Sequence, residues 1–288
     1  MFCTNAHKDW ANTVAVDPKA LSKSGKAKAE DKSIQSDIDG GSLSNFHFSR
    51  LVAKNITFKQ VDFRYSSFDS CYLRGCTFDT CNFTGAKFVG TNFYGAHFLG
   101  CTFDYTTFER TDIDDHVLST NCPARENLKL KFARSLRMNY QQLGNAQSAN
   151  KAIEVELEAT RAHLLKAWHS NESYYRKKYT GAARVRHFIS WLYFMILDWT
   201  WGNGESSLKL ARAALAIIAL LTVYDAATFK DPLLITSYRD AFREVVPMFL
   251  GIHSPSNYTP FFLSGVTTVR LIMFGFLMSI IIKRFNRR

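Results

Sequence analysis

"CYLRGCTFDTCNFTGAKFVGTNFYGAHFLGCTF" runs from Cys71 to Phe103. A large apolar residue stands at every fifth position in it: Leu73, Phe78, Phe83, Phe88, Phe93, Phe98 and Phe103. The series extends outward without a break to Phe58, Phe63 and Phe68 on one side and to Phe108 and Ile113 on the other. Phe48 keeps the register upstream, with Ala53 interrupting it. A second series lies two residues earlier in each unit. After Ile56 and Val61 it is small throughout: Ser66, Cys71, Cys76, Cys81, Ala86, Thr91, Ala96, Cys101, Thr106 and Thr111. A helix repeats at 3.6 residues and a strand at 2, so neither produces this pattern. It is an internal repeat, and the repeat must be read before any single residue in it.

A large apolar residue at the centre of each unit and a small one two before it resembles the pentapeptide-repeat family over residues 46–115. The resemblance implies a right-handed quadrilateral β-helix with four pentapeptides per coil. Phe58, Phe78 and Phe98 would then stack on one side, and Phe63, Phe83 and Phe103 on another. In that geometry Cys71, Cys76 and Cys81 fall on three different faces and cannot converge on one zinc. Cys81 and Cys101 would be neighbours one coil apart, about 4.8 Å along the stack, where a disulfide would strain the coil. The expectation is buried, inert thiols that pack as small hydrophobes, with no metal and no cofactor. Between Phe46 and Ile113 there are seven Lys or Arg against six Asp or Glu, so the rod is not an acidic imitation of DNA.

The chain has 288 residues, almost half of them apolar, and a formal net charge of +11. That excess points to an anionic partner, either nucleic acid or a phosphate-bearing membrane face. The first twenty residues show no basic stretch leading into an apolar run, so no secretory signal is read there. Residues 1–45 are rich in Lys, Ser, Asp and Ala and read as a disordered tail, with its last few residues as an alternative start of the first coil. Over 120–170 the period becomes helical. Phe132, Leu136, Tyr140 and Leu143 form one stripe, and Ile153, Leu157, Thr160, Leu164 and Trp168 form a second after the Gly144-Asn145 stop, as in a helical hairpin.

Residues 174–205 begin with Arg176, Lys177, Lys178, Arg184 and Arg186 interleaved with tyrosines. Such a mixture suits nucleic acid. The run that follows, "FISWLYFMILDWTW", decides for a membrane interface instead. It is too short for a secure span, and it carries the aromatics that favour headgroup level. The basic residues beside it suit anionic lipid. Gly202-Asn203-Gly204 lacks the strand and spacing of a phosphate loop and reads as a helix stop before Ser206.

Residues 209–288 hold two spans, about 211–229 and 260–282, each near the roughly 20 residues that cross a bilayer core. Lys209, Arg212 and the terminal "KRFNRR" should stay cytoplasmic, which puts both termini inside and Asp225 to about Tyr258 outside. A short re-entrant helix is expected over 242–252. The linker "RSLRMNYQQLGNAQSANKAIEVELEATR" and the turn "WGNGESSLKLARAAL" resemble prokaryotic chains that join pentapeptide repeats to a two-span channel domain. The stretch "MFLGIHSPSNYTP" lacks the Thr-x-Gly-Tyr-Gly run of potassium filters, so that selectivity is not implied. Arg270, Glu244 and His253 are the candidate pore residues. Arg270 lies about 18 Å above the inner boundary and either pairs with Glu244 or Asp225, meets water, or snorkels to the outer headgroups.

The sequence thus points to an inner-membrane, multi-pass, oligomeric protein with a cytoplasmic β-helix. It would conduct ions or permeabilise the membrane. The alternatives are a non-conducting membrane-anchored scaffold and a secreted bacterial effector that inserts in host membranes. Its partners would be the lipid bilayer, further copies of itself and a cytoplasmic protein docked on the β-helix, with no nucleic acid. No catalytic constellation is present, so an enzyme is not expected.

Overall fold

A computed structural model describes residues 27–286, which fall into two compact units divided after His169. The first unit opens with a parallel β-solenoid of about four turns. One face stacks β1 (Ala27–Glu30), β4 (Phe46–Ser49), β7 (Ser67–Asp69), β9 (Lys87–Val89) and β11 (Thr107–Glu109). A second stacks β3 (Ile38–Asp39), β6 (Thr57–Lys59), β8 (Thr77–Asp79) and β10 (His97–Leu99). The third pairs β2 (Ser33–Ile34) with β5 (Val52–Ala53) and continues as single bridges through Tyr72, Asn92 and Asp112. Bridges linking Ser42, Asp62, Asn82 and Thr102 make the fourth. Phe58 pairs with Phe78 and Phe68 with Phe88, so one coil takes four pentapeptides.

The expected ladders are present. Phe63, Phe83 and Phe103 stack at 5.1 and 5.2 Å, and Phe58, Phe78 and Phe98 at 5.0 and 5.1 Å. Between adjacent ladders the rings meet edge to face, as at Phe78 and Phe83. From Asn45 to Arg110 the backbone turns each corner through a left-handed residue, among them Tyr65, Ser70, Gly75, Thr80, Gly85 and Gly90. Gly85 is needed for more than its φ of 69°. A Cβ there would lie 2.6 Å from the Tyr65 ring of the coil before, which folds across it.

The small series has a hydrogen-bonding task. Ser66 donates to Leu43 O at 2.7 Å and Thr106 to Phe83 O at 2.8 Å. The thiols of Cys76, Cys81 and Cys101 reach the corresponding carbonyls of Ala53, Phe58 and Phe78 at 3.5, 3.2 and 3.3 Å. A short donor at this position bonds to the coil beneath without displacing a ring. Cys71, Cys76, Cys81 and Cys101 are buried and free. Burial pushes Cys71 up to about 11. The neighbouring Cys81 thiol and burial push Cys101 up as well.

The solenoid starts earlier than the period of five suggests. Residues 27–45 are not a tail; they form a further coil with Ala29, Ile34 and Leu43 buried. The inward residues run Ala29, Ile34, Ile38, Leu43, and the step from Ile34 to Ile38 is four residues rather than five. That single-residue slip, with aliphatic side chains in place of phenylalanine, hides the coil from a strict count. The remainder of the expected tail lies outside the described residues.

The solenoid is followed by α1 (Val117–Thr120), α2 (Glu126–Gln142) and α3 (Ala146–His169). α2 lies on the last coil. Phe132 meets Phe103 and Phe108 at 5.7 and 5.9 Å, and the open strand edge bonds to the helix side chains. Phe108 N–H donates to Ser135 Oγ (2.8 Å), and Arg110 N–H to Gln142 Oε1 (3.1 Å). Thr111 exchanges two bonds of 2.7 Å with the Asn139 amide. An exposed edge would template pairing with another chain; here a helix satisfies it.

The two helical stripes differ in outcome. Phe132, Leu136 and Tyr140 are buried, whereas Leu143 is exposed. In α3 the buried face is Ala149, Ala152, Ala159 and Ala167, while Ile153, Leu157, Thr160 and Leu164 lie half-buried beside it. Alanines let the helices approach closely, and Arg134 and Arg137 close the seam on Glu156 at 2.9 and 2.7 Å.

The second unit comprises α4 (Ser173–Lys178), α5 (Ala182–Trp201), α6 (Ser207–Phe229), α7 (Ile235–Leu250) and α8 (Pro260–Asn286). α6 and the stretch 260–283 of α8 are long and apolar enough to cross a membrane, with mean hydropathies of 1.7 and 2.0. They form an antiparallel hairpin. At one end Lys283 lies 3.4 Å from Glu205, and Trp201 stacks on Phe276 at 4.1 Å. At the other, Tyr224 stacks on Phe262 at 5.2 Å. The helix expected over 242–252 begins instead at Ile235 and ends at Leu250. Its first half carries Thr236, Ser237, Tyr238, Arg239 and Asp240 in succession, so an apolar run shows only in the second half. The fourteen-residue interfacial run lies within α5, a twenty-residue helix with no buried residue.

Candidate functional site

Polar groups gather where α6, α7 and the loop before α8 meet. Asp225, in the last turns of α6, is 1% exposed. Its Oδ1 accepts from the Tyr258 hydroxyl at 2.5 Å, and Lys230 Nζ lies 3.4 Å from Oδ2. Lys230 also reaches Glu244 of α7 at 3.2 Å. A buried carboxylate needs a countercharge and hydrogen bonding; Tyr258 supplies the hydrogen bond to one oxygen and Lys230 the countercharge beside the other. Burial opposes the Lys230 charge, but Glu244 and Asp225 outweigh it and raise its pKa. Burial, and then the bond to Asp225, raise that of Tyr258. Both groups therefore keep their protons over the physiological range, and the arrangement is a fixed clamp rather than an acid–base relay.

Arg270 does not join this chain, contrary to the pairing with Glu244 or Asp225 read from the sequence. Both acids are held by Lys230, and Arg270 packs on Gly251 instead. Gly251 caps α7 at φ 79°, and a Cβ added there would overlap the Arg270 guanidinium. The charge thus sits at the C-terminal end of α7, where the helix dipole favours a cation. Glu244, the second candidate pore residue, lies on α7 and pairs with Lys230. His253 is exposed, and its backbone N–H donates to Pro247 O. Asp225, Lys230 and Tyr258 together are the group that the sequence reading did not assemble. The signal was an aspartate inside the apolar run "ALLTVYDAATF".

The basic residues divide. Arg176, Lys177 and Lys178 occupy the last turn of α4, where the dipole favours them. Arg184 and Arg186 lie in the first turns of α5. Lys178 and Arg186 meet across a cavity of about 650 Å³ that also borders Tyr179, His187 and Ser190. Lys178 lies over the rings of Tyr174 and Tyr179 at 5.3 and 5.5 Å. The Tyr174 hydrogen bond leads the factors that raise its pKa, while burial, Arg186 and Lys178 lower that of His187. Arg176 bonds to Asn171, and neither Lys177 nor Arg184 borders the cavity.

On the solenoid, the end of the second face is only partly covered. Phe98 is half-buried and Leu99 is 56% exposed, beside a cavity of about 540 Å³ between β10 and α1.

Residues 43–87 and 81–115 match family models described as pentapeptide repeats. The chain therefore carries a pentapeptide-repeat β-solenoid, followed by α-helices of which two are apolar. Among the solved structures it matches is a trypsin-treated form of QnrB1, a plasmid-mediated fluoroquinolone resistance protein. The identity is 14%, over 31% of this chain and 54% of that one, with a TM-score of 0.15. The chain thus spans about half the length of that structure. No curated protein matches the chain.

Proposed function

We propose that this chain is a cytoplasmic-membrane protein in which the α6–α8 hairpin spans the bilayer and holds the solenoid on the cytoplasmic side as a docking body. One observation carries the reading: only 6% of the most apolar window of α8 is buried. A helix that apolar and that uncovered needs a lipid environment or a partner. The surface offered to a cytoplasmic protein is the open end of the second face around Leu99. The basic residues of α4 and α5 lie on anionic headgroups, with both termini on the same side.

A second reading, an oligomeric channel-like or permeabilising protein, is favoured by the layout of two apolar helices around the shorter α7. A hairpin cannot enclose a pore alone, so ring assembly is required. Against cation passage stands Arg270, which holds the C-terminal end of α7 where a permeant cation would otherwise be stabilised. Flux of ions from vesicles, measured with the mass of the purified protein in detergent, separates the readings. A monomer or dimer without flux supports the docking body; a tetramer or pentamer with flux supports the pore.

A further inference from the structure

A groove of about 510 Å³ runs between α6 and α8. Its walls along α6 are Ile217, Leu221, Tyr224 and Phe229, and along α8 they are Phe262, Val266 and Val269. Asn257, Tyr258 and Thr259 supply polar groups at one end only. The opening in the α8 wall is Gly265, beside which an added Cβ would meet nothing within 4 Å.

Length and polarity identify the occupant. From Ile217 to Phe229 a helix rises about 18 Å, close to the ~15 Å depth of one leaflet of hydrocarbon. The polar groups lie at the loop end of the hairpin, where a headgroup would sit, and the other end is lined by Ile217, Val266 and Val269. An apolar trough one leaflet long with a polar mouth matches an amphiphile, whereas a second copy of α6 or α8 would lay apolar side chains against Asn257 and Thr259 as well.

We propose that this groove is a binding site for one acyl chain of an outer-leaflet phospholipid, admitted through the notch at Gly265. The inference rests on the membrane reading above. The seated chain covers the aromatic surfaces of Tyr224 and Phe262 beside the Asp225–Tyr258 bond, so that polar pair is shielded by lipid as well as by protein.

The test uses the full chain in phosphatidylethanolamine–phosphatidylglycerol vesicles doped with a phospholipid carrying a photoactivatable diazirine in mid-chain. Flotation is scored first, then cross-linked residues are mapped by mass spectrometry. Gly265→Leu fills the notch on an open helix surface and strengthens the helix, so it does not threaten folding. The expected result is flotation of both proteins, with labelling concentrated between Ile217 and Val269 in the parent and about tenfold weaker there in the variant. Labelling at the exposed Leu271 and Phe274 should be unchanged. Floating protein with diffuse labelling, or with equal labelling of parent and variant, overturns the groove site but leaves the membrane reading intact. Failure to float overturns both.

Discussion

Phe83 lies face to face between Phe63 and Phe103 and edge-on to Phe78 and Phe88, with no exposure. Truncating it removes both stacks and leaves a hole that the six surrounding rings, each held in a ladder, cannot close. Phe83→Ala should cost about 3–5 kcal/mol, read from denaturant unfolding of residues 27–169. Unchanged unfolding would contradict the stacking register. Asp115 gives a different single-residue test. Its carboxylate accepts from Ser148 Oγ at 2.8 Å and Lys151 Nζ at 2.9 Å, tying the solenoid end to α3. Burial pushes its pKa up, but these partners outweigh burial and hold it below the ordinary 3.8. A depressed carboxylate adds stability that is complete above the unfolded value and is lost as pH falls through the folded one. The parent should therefore melt above Asp115→Asn at pH 6, and the gap should shrink progressively below about pH 4.

The edge-capping face of α2 is the element on which the first unit depends most. Ser135, Asn139 and Gln142 stand at i, i+4 and i+7 and take over the strand contacts that a further coil would have made. Asn139 is buried and makes two of these bonds, so Asn139→Leu should cost about 2–4 kcal/mol and expose the edge to self-association, read by unfolding and light scattering. This face was not legible in the sequence. Polar residues at helical spacing read as a solvated side, and nothing local says that a strand edge waits opposite them. The phenylalanine period was legible because every coil imposes the same steric demand, which repeats until it cannot be mistaken. The first coil escaped notice because Ile34 and Ile38 break the count by one residue. In the second unit the two apolar helices showed through composition alone. The Asp225–Tyr258 contact did not, because its partners are 33 residues apart and lie on different elements.

At the scale of the whole molecule, the hairpin reading makes a prediction about sidedness. Thr236 and Phe285 are both exposed. On intact cells, a membrane-impermeant maleimide should label Thr236→Cys and spare Phe285→Cys, with both labelled after permeabilisation. Labelling of Phe285→Cys from outside would reverse the orientation argued from Lys209, Arg212 and Lys283. The second unit also has a mixed surface. α5 carries exposed Val185, Ile189, Tyr193, Ile196 and Trp199 along its length, so a large apolar area needs lipid or detergent at every stage of purification.

The cap on the last coil also bears on how this rod can change length. Phe108, Arg110 and Thr111 precede Ser135, Asn139 and Gln142 by a fixed length of chain, so the key and its lock travel together when the rod is lengthened upstream. Each pentapeptide advances the chain by a quarter of a turn. One extra unit would therefore swing the closed end ninety degrees about the rod axis relative to β1, and twenty extra residues would return it to the same bearing one storey higher. A duplication of residues 82–86 and a duplication of residues 67–86 should both fold with the closure intact, and only the shorter one should change the bearing of α2 against the first coil.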